Sequence, residues 1–353
     1  MRALWIEPGS VVSTKDVSDG FREALIAQGH DVGRYALDRH LVEAQDYLLH
    51  KWRMAGKPET KPNRYDVLWL AGCEILPRAL KYEADWVVVV AGANMNPDWF
   101  VLLRRAGVKT AILLTESPYE DGPQAVMAAQ ATVCFTNERA SVPALRKVQP
   151  HTYYMAHAFD PGKHHPEAGD ESVAAHDVLM VGTGWRERIE TLGAVNWDGI
   201  DLGLYGGWRL LGSRHHLRRY VCGSEMPNAQ AVALYRRAKI GMNLYRTRMA
   251  QGHDTEYAES AESLNPRALE LAACGVFTLS DWRPEVSEVF GDAVPTFRTP
   301  RELEELVRYY LAHNDERREL AARLPGLVAG HTFDARAKEM VSILEQQQSK
   351  GRD

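Results

Sequence analysis

Trp86-Val87-Val88-Val89-Val90-Ala91-Gly92-Ala93, WVVVVAGA, is the longest apolar run in the 353-residue chain, and it leaves no position for a wet face. A strand with one solvated face alternates apolar and polar residues, so a continuous run means burial on both faces, as in a parallel sheet covered by helices. At eight residues it falls far short of the ~20 that cross a bilayer.

The same texture extends outward in both directions. MRALWIEP (Met1 to Pro8), VLWLAG (Val67 to Gly72), TAILLTE (Thr110 to Glu116) and TVCFTN (Thr132 to Asn137) read as further buried strands. Between the first strand and its neighbours, a loop at Gly9 to Thr14 leads to a helix with Val17, Phe21, Ala24 and Leu25 on one face, capped by Ser13 and ended by Gly29. The passage DPGKHHPEAGDES, Asp160 to Ser172, breaks the rhythm, and a second series follows: DVLMVG (Asp177 to Gly182), IDLGLYG (Ile200 to Gly206), KIGMNLY (Lys239 to Tyr245), GVFTLSD (Gly275 to Asp281) and VPTF (Val294 to Phe297). This predicts an α/β protein of two α/β/α units, residues 1–165 and 166–333. Thr299-Pro300-Arg301-Glu302 is a capping box with proline at the first helical position, ahead of a buried face at Leu303, Leu306, Val307 and Tyr310. A last helix runs from about Asp334 to Gln347.

With 45% hydrophobic and 25% charged residues the composition is that of a globular protein, which excludes disordered and fibrous classes. Met1 to Pro8 lacks the layout of a secretory signal, and the reading is a cytoplasmic protein. Cys73, Cys134, Cys222 and Cys274 are widely spaced without a C-x-x-C pair, so they read as small buried residues rather than a zinc cage or a disulfide framework. The net charge of -5 argues against a protein coating nucleic acid over its whole surface. Between Tyr205 and Arg248, however, nine basic residues stand against the single acid Glu225, a segment expected to meet an anion.

Parallel sheets bind ligands at the carboxyl ends of their strands. The most informative segment there is ESLNPRALELAACG, Glu262 to Gly275, where Asn265 and Pro266 open a helix that Gly275 closes. Its first turn offers free amides and partial positive charge, and Arg267 adds a guanidinium fork suited to phosphate oxygens. Glu270, three residues on, shares nearly the same face and suits a ribose diol; the bland alternative is an exposed intrahelical ion pair with Arg267. Glu262 and Glu270 stand in Glu-x7-Glu spacing.

In order along the second half lie LYGGW (Leu204 to Trp208), LYRRAKIGMNLY (Leu234 to Tyr245), NPRALELAACGVFTLSD (Asn265 to Asp281), ELEELVRYYLAHNDERREL and HTFDAR (His331 to Arg336). Together they resemble the CgeB/YkvP-like family of glycosyltransferases over about Asp177 to Met340, with ALIAQGHDV and HAFDPGKHHP compatible in the first half. The resemblance implies a GT-B fold, with two Rossmann-like domains facing across a cleft and the final helix, 334–353, packing back on the first. It also implies a C-terminal domain that binds the nucleotide-sugar.

Carried onto this sequence, the resemblance places Glu270 on the ribose and Asn265 and Arg267 on the diphosphate. Gly182, Thr183, Gly184, Arg186 and Arg188 would face the phosphates, though Glu187 departs from a G-x-G-x-x-G fingerprint. Tyr205 and Gly206, in the stretch to Trp208, would line the nucleotide pocket, Ser224 to Asn228, with Met226 among them, would meet the base through backbone atoms, and Arg246 opens a basic loop with Arg248 after its strand. Gly9, Ser10 and Asn137 fall on the acceptor side. Glu116, Glu262 and His157 are the catalytic candidates, Glu116 as a base for the acceptor hydroxyl. His215 and His216, adjacent on a helix, would point apart and share no metal. No cofactor and no metal is expected: helix dipole and arginines would neutralise the leaving diphosphate.

The reading is thus transfer of a hexose from a nucleotide diphosphate sugar, UDP favoured, to a hydroxyl acceptor, with retention favoured by Glu-x7-Glu. The acceptor is left open among a glycan, a protein, a small molecule and a modified DNA base, the last served by the basic 205–248 segment. A nucleotide-sugar epimerase of the same fold and a catalytically silent surface-assembly protein are the alternatives.

Overall fold

A computed structural model describes residues 1–9, 12–56, 62–246 and 260–349. They form two compact units, Met1–Ala156 with Phe333–Asp353, and His157–Thr332.

The first unit holds a six-stranded sheet: β1 (Arg2–Ile6), β2 (Asp31–Tyr35), β3 (Trp86–Val90), β4 (Lys109–Leu114), β5 (Val133–Thr136) and β6 (Thr152–Tyr154), in the order β2-β1-β3-β4-β5-β6. Every pairing is parallel, with Ala3 opposite Trp86 and Val87 opposite Thr110. All five residues of β3 are buried, which is why its sequence carries no alternation. Tyr35, Ile75, Val87, Phe100 and Ile112 share one side of the core. The Phe333–Ser349 helix completes this unit: Phe333 meets Phe21 edge-on at 5.5 Å, and Lys109 Nζ donates to the carbonyl of Gln347 at 2.9 Å. The chain therefore returns to its first unit, as the sequence reading expects.

The second unit holds β7 (His176–Val181), β8 (Leu202–Tyr205), β9 (Val221–Gly223), β10 (Ala238–Asn243), β11 (Thr278–Asp281) and β12 (Thr296–Phe297), in the order β12-β11-β10-β7-β8-β9, again all parallel. Met180, Leu204, Leu217, Met242, Phe277 and Leu279 pack one face. The capping box forms in full: Thr299 Oγ1 accepts from Glu302 N, and Glu302 Oε2 accepts from Thr299 N, both at 3.2 Å.

Four expectations need correction. VLWLAG lies not in a strand but largely in the Arg64–Ala71 helix, whose N-terminus is capped by the Asn63 side chain accepting from Tyr65 N at 3.0 Å. Six apolar residues fit either period, and the cap decides. The first helix begins at Val12, so Ser13 lies inside it rather than capping it. Cys73 and Cys222 are exposed, while Cys134 and Cys274 are buried. His215 and His216 do not diverge: their rings stack at 4.6 Å, because His215 precedes a 3-10 turn on extended backbone and its Nδ1 accepts from Leu217 N. Among the described residues no helix is long and apolar enough to cross a membrane.

Candidate functional site

Strand addition in the second sheet reverses between β7 and β10: β8 and β9 extend to one side, β11 and β12 to the other. The connecting loops part at such a point and leave a crevice beyond the strands' carboxyl ends. Here the flanking segments are Gly182 to Trp185 after β7 and Leu244 to Arg246 after β10. Arg188 ties the two together, its Nη1 donating to the Thr183 carbonyl at 2.8 Å and its Nη2 to the Leu244 carbonyl at 2.5 Å. This buried guanidinium thus shapes the loops themselves, whereas Arg186, two residues earlier, is exposed.

Close backbone approach dictates the glycines here. A Cβ on Gly182 would lie 2.4 Å from Arg267 Nη2, and one on Gly206, at φ +112°, would lie 2.4 Å from the Gly182 carbonyl oxygen. Gly182 N donates to the Tyr205 carbonyl and Gly184 N to that of Gly207, so the loops after β7 and β8 run together. Tyr205 is buried beneath them with its hydroxyl 3.0 Å from His176 Nε2, and half-buried Met226 packs against the same cluster. Arg246 lies with its Cζ 4.7 Å from the centre of the Trp185 ring.

The Pro266–Ala273 helix points its first turn at this crossing, as the contact of Arg267 with Gly182 shows. Asn265 caps it, its side chain accepting from Ala268 N at 2.9 Å. One turn on, Glu270 is held rather than free: Oε1 accepts from Asn228 Nδ2 at 2.9 Å and Oε2 from the Tyr235 hydroxyl at 3.3 Å. It is therefore not an exposed ion-pair partner of Arg267. Burial keeps the Tyr235 phenol protonated and hence a donor.

Glu262 lies on the segment leading into that helix, which a second polar group braces. Glu285 N donates to the Glu262 carbonyl at 3.1 Å, Glu285 Oε2 accepts from Leu264 N at 2.5 Å, and Arg283 Nη1 donates to the Ser263 carbonyl at 3.1 Å. Arg283 also lies 3.9 Å over the Tyr245 ring, while both carboxylate oxygens of Asp281 accept from Tyr245 N. Burial pushes the Asp281 carboxyl up to about 6, against the pull of Arg283 and of that backbone bond. Sequence reasoning passed over Asp281, Arg283 and Glu285 as site residues, although acid, base and acid at alternate positions from the last residue of β11 onward were a usable signal. It also passed over Tyr235 and His164, which only folding brings to Glu270, and it assigned Asn228 a backbone contact with the base rather than its side-chain bond to Glu270.

His157 is buried in the second unit, and burial alone lowers its imidazole to about 4, so it is neutral at pH 7. In the first unit, Gly9 follows β1 at φ +94°, against the Asn94 side chain that donates to the Pro8 carbonyl at 2.8 Å. Ser10 lies outside the described residues, as does Arg248. Glu116 is half-buried just past β4; next to it Asn137 clasps Ser117, accepting from its amide and donating to its carbonyl at 3.0 Å each.

The basic segment has less to offer an anion than its sequence implies. Arg236 pairs with Glu167 at 2.8 Å, Lys239 with Asp177 at 2.7 Å and Arg219 with Asp198 at 3.4 Å. Arg218 and Arg237 donate to the backbone carbonyls of Leu211 and Val173. Arg209 and Arg214 stay exposed.

A family model described as glycosyl transferase-like matches residues 171–342. Over 282 residues the chain is 23% identical to spore protein CgeB of Bacillus subtilis (strain 168), covering 76% of this chain and 86% of that protein. Among solved structures, sucrose-phosphate synthase from Thermosynechococcus elongatus is similar with a TM-score of 0.68 at 13% identity, covering 99% of this chain and all of that one. An alpha-glucosyltransferase in complex with UDP and a 13-mer DNA containing an HMU base is similar with a TM-score of 0.63 at 13% identity, covering 97% of this chain and 98% of that one.

Proposed function

We propose that the chain, which has a GT-B fold and resembles CgeB, is a glycosyltransferase, that its second unit binds a nucleotide diphosphate sugar, UDP-linked, and that the enzyme moves the hexose to a hydroxyl acceptor without a metal ion. The observation that carries this reading is the convergence of Arg267, the Asn265-capped helix start and the Gly182 backbone at the β7/β10 switch point, with Glu270 one turn further on. Fixed donors and a helix N-terminus aimed at one place stabilise charge that develops on a departing diphosphate, without reorganisation. A firmly held carboxylate beside them accepts from ribose hydroxyls. The alpha-glucosyltransferase of the same fold, solved with UDP, supports the choice of donor.

Glu262, on its braced segment, faces the hexose in this reading, and retention at the anomeric carbon is the stereochemistry it favours. Glu116 takes the acceptor proton, with neutral His157 as the second catalytic candidate. Because three of the segment's nine basic side chains pair with acids and two more are turned onto backbone carbonyls, a hydroxylated acceptor without a long phosphate backbone fits better than DNA.

Calorimetric titration of UDP in the presence of EDTA tests the proposal. Wild type binds, and Glu270→Ala and Arg267→Ala each weaken the affinity about tenfold or more. Unchanged affinity in both variants places the donor elsewhere, and no binding by wild type favours the silent assembly protein. Turnover of UDP-sugar to its epimer with no acceptor present favours the epimerase.

A further inference from the structure

His164 belongs to the segment that the sequence presents only as a break between two sets of strands, yet the fold buries it to 4% exposure beside Glu270. We propose that His164 is part of the nucleotide site and, with Glu270, clamps the ribose diol; this rests on the donor reading above.

The argument is one of proton bookkeeping. His164 Nδ1 lies 3.0 Å from the Asp160 carbonyl oxygen. A carbonyl only accepts, so Nδ1 carries the ring proton, and in the neutral imidazole Nε2 is left as an acceptor. That Nε2 is buried with no hydrogen-bond partner, 3.7 Å from Glu270 Oε1. With the ring neutral, the two facing atoms are both acceptors, 3.7 Å apart, an arrangement that costs free energy unless donors enter between them. Asn228 Oδ1 and Arg267 Nε, on two residues of the same group, are also buried without partners.

A vicinal diol supplies what is missing, with one hydroxyl donating to the Glu270 carboxylate and the other to His164 Nε2. A phosphate oxygen has no proton to give and would be repelled by both. Asn228 and Tyr235 act as positioning residues, since their bonds to the two Glu270 oxygens fix the plane in which the carboxylate meets the diol.

UDP, 2′-deoxy-UDP and 3′-deoxy-UDP titrated into wild type and His164→Ala, full-length and in EDTA, decide the matter. Wild type prefers UDP over at least one deoxy analogue by about tenfold or more. In His164→Ala that preference collapses to within about twofold, while the affinity for the analogue stays at the wild-type level and certifies the fold. His164→Leu, which keeps side-chain bulk but offers no acceptor, shows the same collapse. A preference that persists in both variants overturns the clamp and leaves the donor reading standing; absence of UDP binding by wild type overturns both.

Discussion

His157 shows at the scale of one residue how burial writes itself into pH dependence. Its folded-state value of about 4 lies below the ordinary 6.5, so the neutral ring is favoured on folding. The stability it contributes is complete above pH 6.5 and is lost as pH falls through 4, because the unfolded chain takes up the proton first. Between pH 7 and 4.5 that loss is about 2 to 3 kcal/mol at most. Replacing His157 with Gln removes this acid-side slope, so urea melts of wild type and variant at the two pH values should differ by that amount. Parallel slopes would show that the imidazole keeps its ordinary affinity for protons in the fold. Asp281 works in the opposite sense: with its value raised to about 6, its contribution is present at low pH and lost as pH rises through 6.

At the scale of elements, the donor seat is made of strand-end loops, and one buried arginine holds two of them in register. Arg188 spans the Thr183 and Leu244 carbonyls from opposite sides of the β7/β10 switch. A lysine reaches one carbonyl but has no planar fork to bridge two. Arg188→Lys should therefore cost about 1 to 3 kcal/mol of stability and weaken UDP binding, although this side chain's two donors serve the backbone. Denaturant melts and titrations check both effects; a variant as stable as wild type would show that the loops need no tie. This element was half legible in advance. The Gly182-Thr183-Gly184 turn and the Asn265-Pro266 helix start are local signals, whereas the bridge from residue 188 to residue 244 depends on strand order.

For the whole molecule, the last helix settles which unit the chain ends belong to. Phe333, Ala337, Met340 and Leu344 are all buried, with Phe333 against Phe21. Deleting the chain from Phe333 onward should strip that cover from the first unit and leave the core of the second intact. Differential scanning calorimetry should show the loss in one transition while UDP still raises the other, following RT ln(1 + [L]/Kd). Equal destabilisation of every transition would mean that the two units melt as one.

The sequence by itself determined the architecture, because burial on both faces is the one condition under which WVVVVAGA, TAILLTE and KIGMNLY make sense, and that condition is local. Edge strands escaped for the same reason: Asp31–Tyr35, Thr152–Tyr154 and Val221–Gly223 are short and only partly covered, so they carry no such signature. The strand-end glycines and the Asn265–Glu270 stretch were legible as places where a ligand belongs. What surrounds them was not. Glu270 meets Asn228, Tyr235 and His164 across 42, 35 and 106 residues of chain. Likewise, three of the nine basic side chains of the 205–248 segment pair with Glu167, Asp177 and Asp198, which lie outside it. Periodicity and caps act over a few residues, whereas partnership between charges is decided by the order in which strands assemble, and only the tertiary structure holds that information.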